Sequence, residues 1–259
     1  MSSPTWDAYV AFRTRALQRL AALTGGRLVE EPGAVRLVSA DDGVRGGLLV
    51  WDAVAAEPLR EVLVADSAPQ WVALLPPAAE LAPVVADSGW DRQEQRVAMA
   101  MPDLSRLRPP PVPADVVIGP VAVRQASDGI SLEDAVRLSV LYGEDPSASS
   151  RDLELEAQLL RRLSGIRFFA ALDADGQCVA TGGSRVVDGA ALVAGVATLP
   201  SYRRRGIGTA ITAVALQAAV EAGAREAFLD SSPAGVGIYR RLGFAEIGPV
   251  CWCERSLWA

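Results

Sequence analysis

From residue 116 onward the apolar positions switch repeatedly between two periods. In Leu132–Tyr142 the apolar set is Leu132, Val136, Leu138 and Leu141, a helical spacing, and Arg151–Leu163 predicts a second helix. Val116–Arg124, Ile166–Leu172, Cys178–Val187 and Ala191–Leu199 are runs of strand length. The last three are joined by Asp173–Gly176 and Asp188-Gly189, both hairpin turn sequences, so they predict an antiparallel meander. Ile207–Ala222 is a long apolar helix closed by Gly223. Glu226–Asp230 then reads as a strand, Gly235–Leu242 as a short helix, and Phe244–Leu257 as two strands around Gly248-Pro249.

The first hundred residues are less regular. Tyr9–Leu23 predicts a helix ending at Gly25-Gly26, with short strands near Leu28, Val35 and Leu48. Glu61–Asp66 and Trp71–Leu75 are apolar runs of strand length. Ala78–Asp87 reads as a helix, followed by Ser88-Gly89-Trp90 and a strand near Val97–Met101. Between the two regions stands RPPPVPA, Arg108–Ala114, whose four prolines favour an extended linker. The predicted organisation is a small domain at 1–107, a linker at 108–115 and a larger domain at 116–259.

Composition narrows the function classes. Half of the 259 residues are hydrophobic, enough for a sizeable core. No apolar run reaches the roughly 18 residues that span a bilayer, and the N-terminus has no apolar signal core. A cytoplasmic location follows by default. The net charge of −6 argues against nucleic acid as a partner. Every basic residue is Arg, and there is no His, so no His acts as base or metal ligand. Cys178, Cys251 and Cys253 form neither a disulfide framework nor a four-ligand zinc site, and no metal is expected. Cys251 and Cys253 are two apart in a strand and point to one face.

The segment with the clearest chemistry is Tyr202–Thr209, YRRRGIGT. Pro200 ends the strand before it, and the long apolar helix follows. The free N–H groups of a helix N-terminus attract anions. Gly206 and Gly208 lack Cβ and let the backbone approach a ligand. Arg203, Arg204 and Arg205 offer charge-assisted contacts to phosphate oxygens. Three like charges at the positive end of a helix dipole also repel it, and a bound anion relieves that conflict. A P-loop is excluded because the chain has no Lys, and a G-x-G-x-x-G fingerprint fails at Ile211.

In this context the segment resembles the acetyl-CoA-binding motif of the GCN5-related N-acetyltransferases, Q/R-x-x-G-x-G/A, with Arg203 to Gly208 on the motif. The preceding VAGVATLP resembles the family's central strand. Ser231–Phe244, SSPAGVGIYRRLGF, resembles its second signature, and Val121–Ile130 its opening strand and turn. The resemblance covers nearly all of Val116–Ala259. It implies an α/β (α+β) fold with a mixed, mostly antiparallel sheet flanked by helices. The N-terminal part, a second and smaller α/β domain, softly resembles a degenerate copy of the same fold, with Gly89-Trp90 at the place of Gly-Phe. It lacks the motif and an equivalent of Tyr239.

The resemblance also implies roles. Val196, Ala197 and Thr198 would offer backbone hydrogen bonds to pantetheine. Arg203, Arg204, Arg205, Gly206, Ile207, Gly208 and Thr209 would hold the pyrophosphate. Tyr239 falls on the family's general acid. Ser232 sits near a place where many members carry Asn, which puts its cofactor contact in doubt. The central strand has no carboxylate, so the base is left to Glu144 or Asp145, to Asp230, or to water. The implied activity is direct transfer from acetyl-CoA, or another short acyl-CoA, to the primary amine of a small molecule or peptide, in a monomer or homodimer. A non-catalytic CoA-binding or regulatory module is the alternative.

Overall fold

Thr5 caps the first helix: its side chain accepts the Ala8 N–H. This helix, α1 (Trp6–Thr24), ends at Gly25, whose φ of 66° is the left-handed conformation a helix stop requires. The computed structural model describes residues 5–39, 46–52, 56–64, 69, 71–90, 92–121, 131–141, 149–162 and 165–254. These divide into two compact units, Met1–Met99 with Asp230–Val236 and Glu246–Ala259, and Ala100–Leu229 with Gly237–Ala245.

In the first unit α1 is followed by β1 (Arg27–Glu31), β2 (Ala34–Val38), β3 (Gly47–Val50), α2 (Ala56–Val64), β4 (Trp71–Leu74), α3 (Ala82–Asp87) and β5 (Arg92–Met101). The last strand of the chain, β11 (Ala245–Glu254), pairs antiparallel with β4, Cys251 facing Leu74 and Cys253 facing Val72. The sheet order is β1-β2-β3-β4-β11-β5. Its core gathers Leu48, Val50, Leu59, Leu63, Val72, Leu74, Val85, Trp90, Cys251 and Cys253. Residues 107–113 lie in neither helix nor strand. The first compact unit gives way to the second between Met99 and Ala100 and also takes in Glu246–Ala259, which carries most of β11.

The second unit holds β6 (Val117–Pro120), α4 (Leu132–Ser139), α5 (Ser150–Arg162), β7 (Ile166–Leu172), β8 (Cys178–Val187), β9 (Ala190–Thr198), α6 (Ile207–Glu221), β10 (Glu226–Ser231) and α7 (Val236–Leu242). Its order is β10-β9-β8-β7-β6, antiparallel except for the parallel pair β9–β10. The meander over β7, β8 and β9 is as the turns predicted. Asp173 Oδ1 accepts the N–H groups of Asp175 and Gln177 in the first hairpin, and Asp188 and Gly189 both take positive φ in the second. Helix α6 is buried on nearly every side, including Ile207, Ile211, Ala215 and Leu216. An all-apolar helix is a core helix, so its N-terminus is held in place. Along the chain the order β1-β2-β3-α2-β4-α3-β5 recurs as β7-β8-β9-α6-β10-α7-β11: three antiparallel strands, a helix, a strand parallel to the third, a short helix and a long strand. The short helix ends each time at a left-handed Gly and a buried aromatic: Gly89 and Trp90, then Gly243 and Phe244.

Two expectations are corrected. Glu61–Asp66 is not a strand; α2 covers it through Val64, with Leu59 and Leu63 buried one helical turn apart. The apolar run from Glu61 hid that period because its first member lies upstream. Phe244–Leu257 is not a pair of strands: β11 runs through Gly248-Pro249 unbroken. A Cβ at Gly248 would meet Trp6 Cζ2 at 2.8 Å, so this glycine admits an indole against the strand and marks no turn. The expected opening at Val121–Ile130 falls outside the described residues after Val121.

Candidate functional site

The parallel pair β9–β10 is registered at Ala190–Glu226, Ala191–Ala227 and Leu192–Phe228. Pairing ends there, while β9 continues to Thr198. Among the described residues, the β10 side of β9 therefore has no strand partner along Val193–Thr198. Inside that stretch β9 carries a bulge. Thr181 faces Ala197 and Gly183 faces Ala194, so Gly195 and Val196 together oppose Gly182. Gly195 adopts φ of 65°, and a Cβ there would stand 2.7 Å from Phe168 Cε2 and 3.0 Å from Ser139 Oγ. The buried Thr181 hydroxyl donates to the Gly195 carbonyl at 2.9 Å. A bulge takes one residue's backbone groups out of the ladder. The only sequence signal for it was a glycine inside a strand.

Beyond Thr198 the chain makes a short 3-10 turn, Pro200–Tyr202, and enters the Arg/Gly loop. Gly206 caps α6 with φ of 85° and no side-chain hydrogen bond. The N–H groups of the first turn, Ile207, Gly208 and Thr209, are therefore uncapped. Arg204 also has positive φ, 66°, which costs a non-glycine residue about 1–2 kcal/mol. Gly208 has a packing reason as well, since a Cβ there would lie 3.1 Å from Ile238 Cδ1 and 3.5 Å from Thr198 Oγ1. The three arginines are not equivalent. Arg203 Nε donates to the Thr198 carbonyl at 3.0 Å, which occupies one of the backbone groups expected to face pantetheine. Arg205 pairs with Asp115 and lies over the Tyr202 ring, 5.1 Å from its centroid. The Tyr202 hydroxyl donates to Asp173 Oδ2 at 2.5 Å. That bond is the first cause of a lowered Asp173 carboxyl and a raised Tyr202 phenol.

Tyr239 lies on α7, 8% exposed, edge-on to Phe244 at 5.9 Å. Burial alone pushes its phenol up to about 12. Its hydroxyl has no hydrogen-bond partner among the described residues. Asp230, the strand-end carboxylate, is held differently. Oδ1 accepts the Tyr9 hydroxyl at 2.6 Å, and Oδ2 pairs with Arg13 Nη1 at 2.6 Å. The Arg13 guanidinium also lies 5.7–5.8 Å from the ring centroids of Tyr9, Trp71 and Trp252. Asp230 is thus the anion of a buried pair within the first unit. Ser232 follows in the turn into α7, and its carbonyl accepts the Ser231 hydroxyl and the Gly235 N–H. Glu144 and Asp145 lie outside the described residues.

Cys251 and Cys253 do share one face of β11, with Sγ atoms 3.8 Å apart in the apolar core. The hydrogen bond between them lowers Cys251 to about 7 and raises Cys253. Among the described residues no three His, Cys, Asp or Glu side chains gather as a metal site, and no helix is long and apolar enough to cross a membrane. A cavity of about 850 Å³ sits against the far end of α6, lined by Pro120, Phe168, Gln217 and Glu221 among others. It includes none of the candidate residues.

The uncapped start of α6 offers free N–H groups that favour an anion. Residues 134–244 match the family model described as the acetyltransferase (GNAT) family. No curated protein matches the sequence. Solved structures share the fold. A GCN5-related N-acetyltransferase from Kribbella flavida is 24% identical with a TM-score of 0.63, over 95% of each chain. A GNAT-family acetyltransferase structure from Novosphingobium aromaticivorans is 18% identical with a TM-score of 0.53, over 94% of this chain and 96% of that one. A tandem GNAT protein from the clavulanic acid biosynthesis pathway is 18% identical with a TM-score of 0.51, over 98% and 97%. The family match over residues 134–244 is consistent with acyltransferase activity in general.

Proposed function

We propose that this protein transfers an acetyl group from acetyl-CoA, or another short acyl-CoA, to a primary amine by direct attack in a ternary complex. The observation that carries the reading is the loss of pairing between β9 and β10 beyond Leu192 and Phe228, with the uncapped start of α6 at the end of the same strand. In this reading the pyrophosphate rests on the N–H groups of Ile207, Gly208 and Thr209. The pantetheine runs along the open edge at Val196, Ala197 and Thr198. A main-chain N–H released by the bulge at Gly195–Val196 stabilises the oxyanion that develops on the thioester carbonyl.

The chemistry balances without a covalent enzyme intermediate. The amine nitrogen attacks the thioester carbon, the C–S bond breaks, and its electron pair leaves on sulfur. Tyr239, kept protonated by burial, gives its proton to that thiolate. The Tyr239 phenolate recovers a proton from water, which restores the phenol. The amine proton passes to water. Asp230 is poorly suited to take it, because both its oxygens already accept hydrogen bonds.

Titration with CoA, followed by assay of thiol release from acetyl-CoA with a panel of amines, tests the reading in wild type and Tyr239→Phe. Amine-dependent release that drops in the variant supports it. Tight CoA binding with equal background rates in both proteins on every amine marks a binding module instead.

A further inference from the structure

Four guanidinium groups belong to the start of α6, and their partners divide them into two pairs. Arg203 is turned back onto the Thr198 carbonyl. Arg205 is engaged by Asp115 and by the Tyr202 ring. These two side chains fasten the loop to the strand before it and to the segment ahead of β6. Arg204 and Arg241 are different. Neither meets a carboxylate among the described residues, and Arg204 has no side-chain partner there at all. Arg241 comes from α7, two residues beyond Tyr239, and its Nη2 stands 3.5 Å from Thr209 Oγ1. Thr209 is the third residue of α6 and is only 8% exposed. The contact therefore sets the guanidinium at the mouth of the helix, beside the uncapped N–H groups.

Two cations that meet no carboxylate among the described residues, both belonging to the positive end of a helix, oppose its dipole. Arg204 carries backbone strain in addition. A multiply charged anion bound at the helix start removes that conflict.

We infer that Arg241 is a donor-binding residue outside the Arg/Gly loop, and that Arg241 and Arg204, rather than Arg203 and Arg205, take the charge of the donor's phosphates. This rests on the acyl-CoA reading above. It also sets the donor class. Free acyl-CoA brings a diphosphate and a separate 3′-phosphate, whereas an acyl group on a carrier protein's phosphopantetheine brings one phosphodiester. Two unpaired guanidiniums beside three free N–H groups match the former.

The test is calorimetric titration of CoA and of 4′-phosphopantetheine into wild type, Arg241→Gln, Arg241→Lys, Arg204→Gly and Arg205→Gln, with melting curves for each. Wild type is expected to prefer CoA. Arg241→Gln weakens CoA by about tenfold or more with an unchanged melting temperature, and raises the donor KM more than it lowers kcat. Arg241→Lys recovers part of the affinity, because the charge survives without the planar fork. Arg204→Gly loses affinity while melting no lower, since glycine relieves the left-handed strain. Arg205→Gln loses melting temperature and less affinity than Arg241→Gln. If wild type binds CoA and Arg241→Gln binds it within twofold, the assignment is overturned by itself. A larger affinity loss for Arg205→Gln than for Arg241→Gln overturns the division of the arginines, and equal binding of phosphopantetheine and CoA overturns the donor class. If wild type fails to bind CoA, the acyl-CoA reading falls and takes this inference with it.

Discussion

Leu192 faces Phe228 in the last register pair of β9 and β10. The matching pair in the first unit, Val50 with Leu74, falls where both strands end, so β3 and β4 are paired along all their residues, whereas β9 runs on to Thr198. At the other end Gly47 lets the Trp71 ring lie across β3, where a Cβ would meet the indole at 2.0 Å. One parallel pair opens along β9, and the other is closed over its whole length.

A first prediction follows from that contrast. Each chain should bind one acyl-CoA. Titration with CoA should give a stoichiometry near one per chain, and a value near two would contradict the closed state of β3–β4.

Replacing Tyr239 by Phe removes the proposed proton donor and little packing. We expect kcat to fall by about a hundredfold while donor affinity and melting temperature stay near wild type. Because burial holds the phenol near 12, wild-type kcat should show no descending limb from Tyr239 through pH 9.

The same shift sets a stability window. The folded state keeps Tyr239 protonated above the ordinary phenol value of 10.0, whereas the unfolded chain ionises there. The contribution is fully present below pH 10 and is lost as pH rises towards 12. The denaturation midpoint should fall over that interval, and Tyr239→Phe should flatten the fall. Tyr9, raised by burial in the same direction, leaves a residual slope in that variant.

Asp230 separates a structural carboxylate from a catalytic one. Asp230→Ala leaves the Arg13 guanidinium buried without its anion and should cost roughly 3–5 kcal/mol, read by chemical denaturation. Arg13→Ala should cost a similar amount, and the double variant much less than the sum. A collapse of kcat with unchanged stability would instead make Asp230 the base.

Gly206→Glu should abolish CoA binding, because the substitution sets a carboxylate at the helix start and a side chain at φ of 85°. Gly195→Ala should destabilise the fold by about 1–3 kcal/mol, since both φ and the 2.7 Å approach to Phe168 oppose a Cβ. Unchanged CoA affinity in the first variant, or unchanged stability in the second, would remove the role given to that glycine.

Much of the second unit was legible from the chain alone. The bounds of β7 and β8 match the apolar runs Ile166–Leu172 and Cys178–Val187, and α6 starts at Ile207 as its pattern predicts. Periodicity and turn chemistry are local, and so is the juxtaposition of YRRRGIGT with an apolar helix. Sequence determined these elements, the candidate phosphate loop and the position of Tyr239 before a terminal Leu-Gly-Phe. Tertiary structure decided the rest. The seating of β11 beside β4, the end of pairing at Leu192, the grip of Tyr9 and Arg13 on Asp230, and the contacts of Arg205 with Asp115 and of Arg241 with Thr209 all join residues far apart in the chain. Each depends on which distant backbone edge or charge comes within hydrogen-bonding reach, and no local period encodes that distance.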